Sequence, residues 1–303
     1  MIHVSGKKTH RMNKMRRQEA LYGYLFASPW LIGLAVFTLY PVLSSLYYSF
    51  TNYNFSQNYK WIGLANYKIL FTSDYLIPIS AQNTLFFALL SVPLNLVIGI
   101  AIAVMMNQKI RGIRMLRTVY YLPNVVSIVA VSMLWYFIFQ SNGVLNAFLG
   151  VFGIKGPNWL MDPAWAKPAL VIMNCWNAGS TMIIYLAGLK GIPTSYYEAA
   201  DVDGAGPIRK FFSITLPLLS PSILYNTIIG IIGALQTFST ALVMTDGGPV
   251  HSTTFYVLML YRRAFQDMRM GYASAMAWVL MLVTFALTLV VFRLGTSKVH
   301  YES

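Results

Sequence analysis

The chain has 303 residues, of which 57% are hydrophobic and only 10% carry a charged side chain. A soluble domain has about a quarter of its residues charged, so these proportions exclude a water-exposed surface over most of the chain. The formal net charge of +13 does not indicate a nucleic-acid partner, because the basic residues cluster beside long apolar runs, where anionic lipid headgroups lie.

The sequence contains no signature of a catalytic or metal site. Its single cysteine, Cys175, allows no internal disulfide, and the four histidines, at positions 3, 10, 251 and 300, have no metal-ligand spacing. We find no Walker A loop, nucleophile elbow or zincin motif. We therefore expect no enzyme activity, no cofactor and no metal in this chain; if ATP drives the protein, another chain must bind it.

The N-terminal segment 1–20 is basic and precedes the first apolar run. Its basic residues are Lys7, Lys8, Arg11, Lys14, Arg16 and Arg17. Such a start is also typical of a secretory signal peptide, but the run continues past Ser28 and Pro29 and ends at no clear cleavage site. We interpret this run as a retained membrane anchor.

Six stretches of the chain lack charged residues, and each exceeds the roughly 20 residues that a helix needs to cross a bilayer. After trimming at polar and turn residues, the predicted spans are 21–50, 82–106, 119–140, 168–189, 218–243 and 272–292. The sequence therefore predicts an all-α polytopic membrane protein with a six-helix transmembrane domain at 21–292 and a short tail at 293–303.

The distribution of Lys and Arg predicts the orientation of these spans. If the N-terminus is inside, the inner segments 1–20, 107–118, 190–217 and 293–303 hold 15 basic residues, against 7 in the rest of the chain. This asymmetry predicts that both termini and the tail are cytoplasmic. Arg262, Arg263 and Arg269, in the predicted outer segment between spans five and six, are a local exception.

No predicted span has a charged residue or a histidine in its central portion, which disfavours an ion-coupled carrier or an intramembrane hydrolase. Neutral polar residues do occur there: Asn124, Ser127, Asn174, Asn177, Ser180, Gln236 and Thr237. They could form hydrogen bonds between helices, or they could line the path of a polar, uncharged solute. With the neighbouring rings of Trp176, Tyr185 and Phe238, the set would suit a sugar.

The longest inner loop, residues 191–216, is predicted to form a helix–turn–helix. Ser195 and Glu198 have the spacing of a capping box, and the segment 204–207 carries a stop and turn signal. A second short helix is predicted over roughly 207–214, with Pro217 at the start of the fifth span. An ordinary loop in which Glu198 only caps a helix is the alternative interpretation.

Seven positions in and beside this loop resemble the EAA signature of the permeases of binding-protein-dependent ABC importers. They are Glu198, Ala199, Ala200, Gly204, Ile214, Leu216 and Pro217. Other segments are similar to the sugar branch of that family, in the style of the maltose and glycerol-phosphate permeases: 28–29, 40–41, 61–67, 122–124, 186–189, 192–193, 245–249 and 270–275.

The resemblance implies a mechanism and a set of partners. Two permease subunits would form the translocation path, most simply as a heterodimer of this chain with a second, distinct permease. Two ATPase subunits would bind ATP and receive the EAA loop in a groove, and an extracytoplasmic binding protein would deliver a sugar or oligosaccharide. The resemblance also places the chain in the inner, cytoplasmic membrane of a prokaryote. A permease for another polar solute, such as glycerol phosphate or a polyamine, and an ATP-independent channel or carrier remain alternatives.

Overall fold

The computed structural model describes residues 14–108 and 111–296. Within these residues all regular structure is helical, apart from one antiparallel bridge between Thr51 and Trp61. The predicted all-α membrane fold is confirmed. Lys7, Lys8 and Arg11 of the basic N-terminal segment, and the part of the predicted tail after Thr296, lie outside the described residues.

The helices of the first half are α1 (Lys14–Leu34), α2 (Tyr40–Ser49), α3 (Ala65–Thr72), α4 (Leu76–Met106), α5 (Ile113–Tyr121), α6 (Ile128–Ile138) and α7 (Val144–Val151). Those of the second half are α8 (Pro163–Trp176), α9 (Gly179–Gly191), α10 (Thr194–Val202), α11 (Pro207–Lys210), α12 (Leu216–Leu218), α13 (Ser220–Leu235), α14 (Ser239–Met244), α15 (Tyr256–Tyr261) and α16 (Met270–Thr296). Three π-helical turns continue helices without a break, at Ala35–Leu39, Phe211–Thr215 and Arg262–Gln266.

Three helices are long and apolar enough to cross a membrane alone: Arg16–Ser49, Leu76–Met106 and Met270–Thr296. Three bent helix pairs meet the same criterion: Ile113–Asn124 with Ile128–Ile138 at 96°, Pro163–Trp176 with Gly179–Gly191 at 44°, and Pro207–Leu218 with Ser220–Leu235 at 65°. The described residues thus supply up to six crossings, if each bent pair is one crossing. The number six itself stays a prediction.

Three of the predicted spans, 119–140, 168–189 and 218–243, were expected to be single helices and are interrupted. In the first, Pro123 lies in a 3-10 turn and Ser127 has an extended backbone (φ −54°, ψ 134°), so the helical hydrogen-bond ladder stops between α5 and α6. In the second, α8 ends at Trp176 and α9 begins at Gly179, with a bend of 44° between them. In the third, Phe238 leaves the helical region (φ −138°, ψ −64°) and separates α13 from α14. Hydropathy cannot reveal such breaks, because the residues on both sides are equally apolar.

The long helix α4 is the centre of the fold and packs against α8, α9, α13 and α15. A buried cluster at one end contains Ala103, Met106, Met182, Tyr185, Leu186, Leu189, Ile192 and Leu219. We name this the loop end, because residues 191–216 adjoin it. A second cluster, at what we name the far end, contains Leu70, Ile77, Tyr256, Met259, Tyr272 and Met276.

Helix α1 lies apart from this core. No residue in its most apolar window is buried within the chain, and large side chains such as Phe26 and Trp30 are exposed. Exposed apolar side chains along a whole helix are stable only in lipid or against another protein.

Candidate functional site

Helix α10 carries Glu198, Ala199 and Ala200, but it does not begin as predicted. Pro193 occupies the N-cap position with an extended backbone (φ −59°, ψ 137°), and no side chain caps the helix. Ser195 already lies within the first helical turn, so it cannot adopt the extended N-cap conformation that a capping box requires. The predicted capping box between Ser195 and Glu198 is therefore wrong.

The chain turns after α10 through a left-handed glycine. Gly204 has φ +71°, its N–H donates to the carbonyl of Asp201 at 3.1 Å, and the N–H of Ala205 donates to the carbonyl of Ala200 at 2.8 Å. These two bonds define a Schellman motif, in which a residue other than glycine is penalised at the left-handed position. Pro207 then opens the next helix at its first position.

The second helix of the loop is longer than predicted. It runs without a break over Pro207–Leu218 and bends by 65° before α13, so Pro217 lies inside it and does not start the fifth span. A π turn, Phe211–Thr215, ends two residues before Pro217. A wider turn accommodates the ring of Pro217 and its missing N–H, which explains why the helix passes through this proline. Ile214 and Leu216 belong to the same helix.

The two helices of this loop hold each other. Lys210 forms an ion pair with Asp201, and the hydroxyls of Tyr197 and Thr215 are hydrogen-bonded at 3.0 Å. Ile214 packs against the buried cluster of the loop end, which connects the loop to the ends of α4 and α9. We call residues 194–218 the coupling hairpin.

The surface of the coupling hairpin combines a carboxylate with apolar side chains. Glu198 and Ala199 are exposed and Ala200 is half-buried, while Val202 is 90% and Ile208 76% exposed. Exposed apolar side chains beside a carboxylate are typical of a protein contact surface.

Two adjoining cavities lie within the helix bundle, and both are open. The larger has a volume of about 860 Å³ and the smaller about 280 Å³. Polar residues lining the larger cavity are Asn174, Gln236, Thr237, Ser239, Thr240, Thr284 and Thr288. Polar residues lining the smaller one are Ser91, Asn95, Asn174, Asn177, Ser180, Thr181, Tyr225 and Asn226. Among the described residues that line them, none carries a charge.

Five of the seven predicted pathway residues therefore line these two adjoining cavities. Asn174 borders both cavities, and the backbone break between α13 and α14 brings Gln236 and Thr237 to the larger one. Irregular backbone is tolerated at membrane depth where it lines a cavity, because its free carbonyl and N–H groups can then be hydrated.

Asn124 and Ser127 line neither cavity. They lie at the bend between α5 and α6, where Asn124 is half-buried beside Gly179 and Ser127 is exposed. A Cβ at Gly179 would overlap the carbonyl oxygen of Tyr120, so this glycine permits the close packing of α9 on the bend. The geometry of Asn124 therefore matches a packing role, whereas the role of Ser127 stays a prediction.

Asn95 is a lining residue that the sequence analysis missed. Its Nδ2 donates to Oδ1 of Asn174 at 2.5 Å and to the backbone carbonyl of Ser91 at 3.0 Å, joining α4 to α8 beside the smaller cavity. Its position inside the predicted span 82–106 was a usable signal, since an amide within an apolar helix needs a polar partner.

Comparisons with known proteins assign this arrangement to a class. Residues 95–297 match the family described as "Binding-protein-dependent transport system inner membrane component". A probable ABC transporter permease protein of Bacillus subtilis, YesP, is 42% identical, with 99% of each chain covered. The lactose transport system permease protein LacF of Rhizobium radiobacter is 35% identical, over 94% of this chain and 97% of its own.

The fold is also that of a solved importer. The crystal structure of a bacterial ABC transporter involved in the import of the acidic polysaccharide alginate has a chain with a TM-score of 0.80 and 27% identity, covering 93% of this chain and 97% of that one. A second structure shows the alginate transporter in complex with its alginate pentasaccharide-bound periplasmic protein, with a TM-score of 0.77. This chain belongs to the family of inner membrane components of binding-protein-dependent transport systems.

Proposed function

We propose that this permease forms, with a second and distinct permease subunit, the translocation path for a sugar or oligosaccharide. The observation that carries the proposal is the uncharged polar lining of the two cavities. Amide and hydroxyl groups exchange hydrogen bonds with sugar hydroxyls, and the rings of Phe238 and Tyr225 offer faces on which a sugar can stack. The names of two relatives support the same solute class: the lactose transport system permease protein LacF and the sulfoquinovosyl glycerol transport system permease protein SmoG of Agrobacterium fabrum. The sn-glycerol-3-phosphate transport system permease protein UgpA of Pectobacterium atrosepticum, 31% identical, supports the alternative solute, glycerol phosphate.

The openness of the cavities supports a partner permease. A solute in either cavity would be exposed on one side, so the described residues of one chain do not enclose a path. The exposed helix α1 offers further apolar surface to a neighbour. The heterodimer follows the resemblance to the maltose-type permeases, which pair two different subunits.

The surface of the coupling hairpin supports a contact with one of two ATPase subunits, which would bind the ATP. Its exposed Glu198 can pair with a basic residue, and Val202 and Ile208 can fill an apolar groove. The hairpin connects α9 to α13, so a displacement of the hairpin would move both helices. Helix α13 lines both cavities. ATP binding and hydrolysis would reach the solute path by this route.

The orientation that we propose rests on the 15-to-7 distribution of Lys and Arg. The outer arginines remain an exception to it, although each has an acidic partner: Arg262 donates to the backbone carbonyl and the carboxylate of Asp246, both at 2.7 Å, and Arg263 bonds to Asp74 and Asp267. Acidic partners count little in the positive-inside rule, so these ion pairs do not change the asymmetry. In this orientation both termini and the coupling hairpin are cytoplasmic, and the far end faces outwards.

A panel of solutes tests the proposed substrate class. The reconstituted complex of both permeases, the ATPases and the binding protein would be assayed for ATPase stimulation with neutral oligosaccharides, acidic oligosaccharides, glycerol phosphate and polyamines. We expect stimulation by one or more saccharides and none by the polyamines. Stimulation by glycerol phosphate or a polyamine alone would overturn the sugar assignment.

A further inference from the structure

The far end contains a buried carboxylate that the proposed transport path does not use. The side chain of Asp74 is only 5% exposed. Its Oδ1 and Oδ2 accept from Nη2 of Arg263 at 3.1 and 2.9 Å, and Oδ2 also accepts from the hydroxyl of Tyr272 at 3.0 Å. The backbone N–H of Leu76 donates to Oδ1 at 3.2 Å. The donors to this carboxylate therefore lie in three places: the π turn after α15, the helix α16 and the start of α4.

These bonds join three helices at one point. Asp74 stands just before α4, Arg263 lies in the π turn that continues α15, and Tyr272 is in the first turn of α16. Helices α15 and α16 form one wall of the larger cavity, with Val257 and Leu260 on α15 and Ala277 and Leu280 on α16. Leu260 precedes Arg263 by three residues, so the anchor is less than one turn from the wall that it holds.

Neighbouring contacts fix the geometry of the guanidinium. Nη1 of Arg263 donates to Asp267 at 2.7 Å, and the guanidinium of Arg269 lies 4.8 Å from the ring centre of Tyr272. Burial acts to lower the pKa of Arg263, but the hydrogen bond to Asp267 and the charge of Asp74 outweigh it and raise that pKa. The guanidinium therefore stays charged beside Asp74.

A buried ion pair contributes little net stability compared with a well-packed apolar substitute, because both charges lose their hydration. Its geometry is nevertheless specific, since a guanidinium and a carboxylate bond in few arrangements. Such a pair is suited to fixing the relative position of the elements that carry it.

We propose that Asp74 is a positioning residue for transport, which through Arg263 and Tyr272 holds α15 and α16 together as one rigid wall of the cavity. The inference rests on the proposed importer function. In this proposal the intact wall keeps α15 and α16 in one arrangement until a loaded binding protein docks. Loss of the anchor loosens the wall, so the complex changes state without its solute.

Asp74→Asn tests this, with Arg262→Gln as the matched control. Arg262 is the adjacent guanidinium, but its partner Asp246 is 69% exposed, so its loss should leave the wall in place. One readout, in the full complex with ATPases and binding protein, is the ratio of ATPase activity with and without sugar-loaded binding protein. The other is labelling of Thr240→Cys, with Cys175 replaced by Ser, by an impermeant thiol reagent outside cells.

In Asp74→Asn we expect solute-independent ATPase activity and labelling to rise about tenfold, the factor that corresponds to a shift of 1.4 kcal/mol in the equilibrium between states. Asp74→Glu, which keeps the carboxylate, should restore part of the stimulation ratio, and Arg262→Gln should match the unmutated complex. An assembled Asp74→Asn complex with an unchanged ratio and unchanged labelling would overturn the proposal.

If Asp74→Asn fails to assemble, the double variant Asp74→Asn with Arg263→Gln also removes the guanidinium, which in Asp74→Asn has lost one of its two carboxylate partners. A double variant that assembles and keeps the normal ratio of ATPase activities contradicts the proposal. A double variant that also fails to assemble contradicts it as well, because Asp74 and Arg263 then serve folding alone. If sugar-loaded binding protein does not stimulate the ATPase activity of the unmutated complex, the proposed sugar importer function is refuted. The labelling of Thr240→Cys still tests the proposed role of Asp74 in that case.

Discussion

Asn174 occupies the point at which the two cavities meet. Because its Oδ1 accepts from Asn95, its own amide N–H groups remain free to donate to a solute hydroxyl. The side chain thus contributes a fixed donor at the centre of the proposed path.

Asn174→Leu should therefore impair sugar uptake more than it lowers the stability of the complex. We expect KM for sugar uptake to rise up to about tenfold, since the lost hydrogen bond to the solute contributes about 0.5–1.5 kcal/mol. Asn124→Leu is the matched control, because Asn124 lines neither cavity. Uptake kinetics on purified, intact complexes provide the measurement, and equal KM values for the two variants would favour a packing role for Asn174.

The effect of a substitution at Gly204 on stability can be predicted from its backbone conformation alone. No atom lies within 4 Å of a Cβ placed there, so Gly204→Ala carries only the penalty of its left-handed φ, about 1 kcal/mol. Gly206→Ala is the control, because Gly206 has equal space and an ordinary φ of −70°. Thermal unfolding of the complex should show a lower Tm for the first variant only; equal shifts would argue against the Schellman turn.

Five of the polar residues singled out from the sequence line the cavities: Asn174, Asn177, Ser180, Gln236 and Thr237. Their role in a solute path stays a prediction. Asn95 was missed because one amide in an apolar run is equally compatible with packing, and only the angle between α4 and α8 brings it to Asn174.

At the scale of elements, the coupling hairpin is the part with the clearest surface chemistry. Its helices are tied by Lys210 and Asp201 and by Tyr197 and Thr215, which leaves Glu198 free to face a partner. A charge on this surface should affect assembly with the ATPase without disturbing the membrane helices.

Glu198→Lys should abolish or strongly reduce ATPase attachment. A partly desolvated charge-assisted hydrogen bond contributes about 1.5–3 kcal/mol, and reversal adds repulsion, so we expect a loss of at least about tenfold in affinity. Glu19→Lys on the exposed helix α1 is the matched control. Co-purification of the ATPase with each variant measures the effect, and equal recovery would remove Glu198 from the coupling surface.

The membrane-crossing elements were foreseeable, but their internal breaks were not. Each predicted span overlaps a described helix or helix pair, because the length of an apolar run depends only on composition. The breaks at 122–127, 177–178 and 236–238 and the helix that passes through Pro217 depend on local backbone geometry. The start of α10 also differs, because Pro193 takes the N-cap position expected for Ser195.

For the whole molecule, the proposed orientation places the coupling hairpin in the cytoplasm and the Asp74 anchor outside. A single cysteine introduced by Asp203→Cys, with Cys175 replaced, should resist impermeant thiol reagents in intact cells and react after permeabilisation. A matched outer cysteine, His251→Cys at an exposed position, should react in both conditions. The opposite labelling pattern would invert the topology.

ATP-driven accumulation of the solute tests the central claim most directly. Proteoliposomes with both permeases and the ATPases would be given sugar-loaded binding protein on the outer side and ATP inside. We predict that sugar accumulates above its external concentration with hydrolysable ATP and not with a non-hydrolysable analogue. Sugar entry that occurs equally without ATP and stops at equal concentrations would contradict this account and indicate a channel or passive carrier.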